Sequence, residues 1–288
     1  MGSTAALVNI FLPASLAFIM FGLGLTLTIE DFTRVMRFPK SVILGLVCQM
    51  FILPALAFGL CYVFALPAEI SIGLMILAAS PGGVTANLFS HLANGDVALN
   101  LTLTAINSVL AAITLPLFVN FALAHFSGDD KSIGLQFSKV LEVFLIVLIP
   151  VAIGMWIHKI KPSFAQKMDK PVRLFSFLVL LIIVSAAIVK EHQQLANSFG
   201  EVGMAVFTFN ILSLGVGYAL PILAKVKHRE AIAISMEVGI HNGTLAIYVA
   251  LSLLNSFALA LPAAIYSIMM FFTAAIFCVI LTKKNAKA

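Results

Sequence analysis

Nine apolar stretches, each near the length a helix needs to cross hydrocarbon, follow one another along this 288-residue chain with short polar segments between them. They cover about 8–27, 41–64, 71–92, 97–124, 135–157, 172–189, 203–224, 231–253 and 259–281. A soluble core cannot absorb that much apolar surface: 61% of the residues are hydrophobic and 10% charged, where soluble domains run near 45–50% apolar. In lipid every backbone N–H and C=O must find a partner inside the protein, so runs of this length fold as helices. The expectation is an all-α integral membrane protein with nine transmembrane helices in a single domain, 1–288. No basic segment or small-residue cleavage site precedes the first run, which reads as a retained helix.

The polar segments carry the orientation. Placed alternately on two sides, they put Arg34, Arg37, Lys40, the Lys and Arg of 159–173, Lys225, Lys227, Arg229 and the Lys of 283–287 on one side, with Lys131 and Lys190 opposite. Lys and Arg accumulate in cytoplasmic loops, so the N-terminus is expected outside and the C-terminus in the cytoplasm, in a cell (inner) membrane. The net charge of +5 is dispersed over these segments and forms no nucleic-acid patch. Cys48, Cys61 and Cys278 lie inside apolar runs without metal or redox spacing.

Two of the runs are interrupted at mid-depth, the third by Ser80-Pro81-Gly82-Gly83 and the eighth by Gly239-Ile240-His241-Asn242-Gly243. Irregular backbone survives there only where protein or a cavity satisfies it, and a matched pair of breaks points to the binding site of a secondary transporter. The broken spans lie five apart and so run in opposite directions, which predicts an inverted repeat: 8–124 against 172–281, with 135–157 as connector. The first halves bring carbonyl ends to the midplane, suited to a cation, and the second halves bring N–H ends, suited to an anion.

Polar side chains cluster at the same depth. Glu237 is an acid near the centre of a span, where an unpaired carboxylate is costly. Thr85 and Asn87 follow the first break, and Asn100, Thr104 and Asn107 share one helix face at i, i+4 and i+7. Gln49 adds an amide from the second span. With Glu237 these oxygens suit a hard cation, although Asn and Thr also bond between membrane helices for structural reasons alone. His241, inside the second break, reads either as hydrogen-bonded scaffold or as a proton-sensitive coupling group. Nothing pairs a nucleophile with a base, so no enzyme and no cofactor is expected.

Phe21-Gly22-Leu23-Gly24-Leu25-Thr26, Gln49 with Pro54, Ser80-Pro81-Gly82-Gly83 through Asn87, Gly95-Asp96-Val97-Ala98-Leu99, and Glu237-Val238-Gly239 with Asn242 together resemble the bile acid:sodium symporters. The chain is similar to their nine-span form. The resemblance implies panel and core domains, two crossing discontinuous helices, and symport of a small organic anion with sodium. A proton-coupled anion carrier, or a channel or sensor of the same fold, is the alternative. Carried over, a first sodium site uses Asn87, Asn100, Thr104 and Glu237, with Ala86 and Asn100 where bacterial members place Ser. A second uses Gln49, Glu237, Val238 and Ile240, with His241 at a usual Gln. Thr85, Asn242 and Thr244 are left to face the anion. Met270 and Phe271 stand where members carry a His-Asn pair, so bile-salt recognition is not implied. The partners implied are sodium, a small organic anion and the lipid bilayer.

Overall fold

Several helix starts fall at prolines or capping side chains. The structure, a computed structural model, describes residues 10–127, 137–190 and 192–285. Its helices are α1 (Leu12–Thr26), α2 (Ile29–Thr33), α3 (Pro39–Val63), α4 (Ala68–Ala79), α5 (Ala86–Leu92) and α6 (Val97–Phe126). They continue as α7 (Phe137–Ile160), α8 (Pro162–Lys190), α9 (His192–Leu223), α10 (His228–Gly239), α11 (Gly243–Leu253) and α12 (Leu261–Asn285). There is no strand among the described residues. Pro39 and Pro162 open α3 and α8, where their missing N–H is no loss. Asp96 caps α6 by accepting from the Leu99 N–H at 3.1 Å. Thr28 and Asp31 form a capping box at α2, which leaves α1 at a 74° bend.

By length and apolarity five helices can cross a membrane: Pro39–Val63, Val97–Phe126, Ser138–Ile160, Val202–Leu223 and Ala258–Thr282. The bent pair Leu12–Thr26 and Ile29–Met36 makes a sixth if taken as one span. The remaining expected runs are the two broken ones and the apolar part of α8. Much of the polar sequence expected as loop, 162–170 and 192–202, is helical instead; charge alone does not end a helix, which stops where its backbone groups find other partners. Residues 8–9 and 135–136 of the expected runs, and Lys131 with its loop, lie outside the described residues.

The surface is apolar and the polar groups are inside. Ile113 and Leu117 of α6 and Phe272 and Ile276 of α12 are all more than half exposed, whereas Gln49, Asn100, Thr104, Asn107, Asn210 and Glu237 are buried. That distribution suits hydrocarbon as solvent. α1 packs mainly against α7 and α8, while α3 to α6 and α9 to α12 pack on one another. The approach of α1 to α7 needs facing glycines, since a Cβ on Gly24 would strike the Val151 carbonyl and one on Gly154 the backbone of Phe21 and Gly24.

The turns into and out of the broken spans come in matching pairs. Ala65 and Lys225, at φ 45° and 58°, end α3 and α9 in the same motif. In it Leu66 N–H bonds the Cys61 carbonyl and Val226 N–H the Pro221 carbonyl, both at 2.9 Å. Asn94 and Asn255, at φ 61° and 53°, follow α5 and α11, with Gly95 N–H bonding the Ser90 carbonyl and Ser256 N–H the Ala250 carbonyl.

Candidate functional site

The two breaks touch backbone to backbone. Gly83 N–H donates to the Ile240 carbonyl at 2.6 Å and Asn242 N–H to the Pro81 carbonyl at 2.8 Å, around an antiparallel bridge between Gly82 and His241. The half-helices end in carbonyls that a low-dielectric interior cannot leave bare. The Ser80 carbonyl accepts from Gln49 Nε2 at 2.8 Å and from His241 Nδ1 at 3.1 Å. The Gly239 carbonyl accepts from Asn210 Nδ2 at 3.2 Å and Tyr266 Oη at 2.8 Å. The Ser80 and Gly239 carbonyls, at the ends expected to suit a cation, are therefore held by protein donors.

What the fold leaves open is side-chain oxygen. The Glu237 carboxylate is fully buried, and it accepts from Thr104 Oγ1 at 2.6 Å, Asn100 Nδ2 at 3.5 Å and Asn107 Nδ2 at 3.2 Å, all from α6. α10 carries it past the first break so closely that a Cβ on Gly82 would fall on the carboxylate itself. Among the described residues no Lys, Arg or His bonds it. With their amide N–H groups committed, Asn100 and Asn107 keep Oδ1 buried and without a partner, as do Asn87 Oδ1 and Gln49 Oε1. A buried carboxylate and unsatisfied amide oxygens are acceptors of the kind that suits a hard cation. No group of three or more His, Cys, Asp or Glu among the described residues could hold a metal ion.

The first set expected from the sequence is thus largely drawn together: Asn100, Thr104 and Glu237 touch, and α5, bearing Asn87, packs on α10. Asn107, marked by its position on the same face, joins them. Of the second set, Gln49 and His241 meet at the Ser80 carbonyl and not at the carboxylate. The Ile240 carbonyl is held by Gly83, and Val238 is wholly buried in the core. The His241 ring stacks on Phe209 at 5.7 Å and meets the edge of Tyr266 at 5.2 Å. Because Nδ1 faces a carbonyl it carries the proton, and Nε2 is a buried lone pair without a partner.

Of the groups expected to face an anion, Asn242 spends Oδ1 on the Leu245 N–H at 3.1 Å as the cap of α11, Thr244 lies in its first turn, and Thr85 precedes α5. Met270 is buried and Phe271 stacks on Phe89 at 6.1 Å, so this pair adds no polar group. Asn210 and Tyr266 were not legible as functional residues. The signal was present for Asn210, an amide in mid-run on the helix entering the second break, as Gln49 is on the helix entering the first.

The model of the sodium bile acid symporter family matches residues 13–198. The chain is 32% identical over 268 residues to the uncharacterized sodium-dependent transporter YocS of Bacillus subtilis (strain 168), covering 91% of this chain and 79% of that protein. It is 26% identical over 250 residues to a probable chloroplastic sodium/metabolite cotransporter, BASS2, of Oryza sativa subsp. japonica, covering 87% of this chain and 58% of that one. It is 27% identical over 236 residues to sodium/bile acid cotransporter 4 of Mus musculus, with 81% and 54% covered.

Proposed function

As the chain belongs to the sodium bile acid symporter family, we propose that it is a secondary active transporter in which sodium bound at Glu237 drives a small organic anion across the membrane. The observation that carries the reading is the buried Glu237 carboxylate facing Gly82, which takes the amide N–H groups of Asn100 and Asn107 while their oxygens, like that of Asn87, stay buried without partners. A sodium ion there offsets the carboxylate's charge and takes the oxygens of Asn87, Asn100 and Asn107, with Thr104 beside them. In doing so it draws α5, α6 and α10 together and fixes the crossing. Thr85, Asn242 and Thr244, at the openings of the second half-helices, are the groups offered to the anion. Sodium and anion thus share one framework, and each stabilises the geometry the other needs. The matching turns support an inverted repeat, and the basic segments support nine crossings with the N-terminus outside and the C-terminus in the cytoplasm of a cell membrane.

The test uses reconstituted protein and a sodium gradient. Glu237→Gln keeps the shape and removes the charge, so sodium-dependent uptake should vanish. Sodium, against choline, should raise the unfolding midpoint of the natural protein and not of the variant; at a hundredfold excess over Kd the stabilisation is about 2.7 kcal/mol. A variant that retains both responses overturns the assignment.

A proton in place of a second sodium is the alternative that the unpartnered His241 Nε2 favours. In that case uptake varies with pH, and His241→Gln flattens the profile. An unchanged profile leaves His241 as the pin between Ser80 and the aromatic rings.

A further inference from the structure

A cavity of about 580 Å3 opens at the end of the bundle where α3, α6 and α10 begin. Arg37 to Ser41 around the start of α3, Asp96 and Ala98 at the start of α6, and Lys225 to Lys227 with Glu230 around the start of α10 line it. Neither Glu237 nor any residue of α1, α7 or α8 does, so the cavity is separate from the crossing.

Its charge is lopsided. Arg37, Lys40, Lys225 and Lys227 line the space, and only part of this charge is answered. Lys40 Nζ donates to the Ala224 carbonyl at 2.5 Å and Lys227 lies 3.9 Å from Glu230, whereas the Arg37 and Lys225 side chains have no hydrogen bond or ion pair among the described residues. Both carboxylates already have protein partners. Asp96 Oδ1 caps α6, and Glu230 Oε2 accepts from Ser41 Oγ at 2.5 Å. The starts of three helices, each of nine or more residues, add N–H groups and the positive ends of their dipoles. Basic residues also gather at a cytoplasmic face merely to set topology. Residues with that task alone need only reach water; these line concave space together with helix starts.

We propose that this cavity binds a phosphate-bearing anion, which ties the start of α3 and the linker before it, through Lys40 and Arg37, to the turn that leads into the Glu237-bearing helix, through Lys225 and Lys227. The multiple charge and tetrahedral oxygens of a phosphate suit a guanidinium fork beside several ammonium groups better than a single carboxylate does. Such a ligand reaches the site either as the headgroup of an anionic lipid or as a soluble phosphate compound.

The test compares three proteins in phosphatidylcholine nanodiscs: the natural chain, Arg37→Gln with Lys225→Gln, and Lys159→Gln with Lys161→Gln as a control on exposed cations elsewhere. Unfolding is followed with a thiol-reactive dye, since Cys48, Cys61 and Cys278 are buried until the fold opens. One arm titrates pyrophosphate; the other replaces part of the lipid with phosphatidylglycerol. The natural chain and the control should rise by several degrees in at least one arm, and the Arg37/Lys225 variant should lose most of that rise. A rise with pyrophosphate identifies a soluble ligand and a rise with phosphatidylglycerol a headgroup. No rise in either arm, or an equal rise in the Arg37/Lys225 variant, overturns the proposal. Neither readout involves sodium or uptake, so the outcome is independent of the transport reading.

Discussion

Gly82 shows how narrowly the Glu237 site is built. A single methyl group there would occupy the space of the carboxylate oxygens, so Gly82→Ala must push Glu237 off its Thr104 and Asn107 donors or displace the break. Overpacking of this kind costs about 1–3 kcal/mol, which falls on the group proposed to answer the cation's charge. We expect sodium affinity to drop by about one to two decades while the protein still reaches the membrane, measured as the sodium concentration for half-maximal uptake. Unchanged half-saturation would mean that the carboxylate can retreat without loss. The residues of this site were legible in the sequence for a physical reason. An acid, three amides and a threonine in apolar runs carry a desolvation cost that has to be answered, and the spacing of Asn100, Thr104 and Asn107 placed those three on one face of α6. The Gly82 contact was not legible, because sequence separates it from Glu237 by 155 residues, and only the crossing of the breaks brings them together.

Among the helices, the recurrent device is an amide from the preceding long helix that holds the last carbonyl of a half-helix. Gln49 of α3 does this for Ser80 and Asn210 of α9 for Gly239, each with a ring partner, His241 and Tyr266. Gln49 sits in a widened π turn, Cys48–Ile52, just ahead of Pro54, whose ring cannot donate into the helix. Two donors on one carbonyl imply redundancy. Asn210→Leu or Tyr266→Phe alone should cost about 1 kcal/mol, and together more than the sum, because the Gly239 carbonyl is then buried unsatisfied at about 1–3 kcal/mol. Thermal unfolding of the two single variants and the double measures this, and strict additivity would show that another donor steps in. The breaks themselves were plain in the sequence as Pro and Gly within apolar runs. The helix limits were not: α8 and α9 run on through charged stretches, since their ends depend on caps and partners that polarity does not reveal.

Taken as a membrane-embedded body, the chain has an orientation that rests on its basic segments, and that can be read directly. A cysteine at Ser127, at the end of α6, should react with an impermeant reagent added outside intact cells, while a C-terminal reporter should stay cytoplasmic; labelling from the cytosol alone would reverse the map. The hydrogen bonds from Gly83 to Ile240 and from Asn242 to Pro81 have a consequence for how such a protein can change over generations. They stitch one half of the chain to the other at main-chain atoms, so a side-chain replacement alters them only by moving the backbone of a break. A variant that reshapes one break reshapes the other, so the halves are bound to drift together, and a hybrid made by splicing the front half of one relative to the back half of another inherits a seam that neither parent selected.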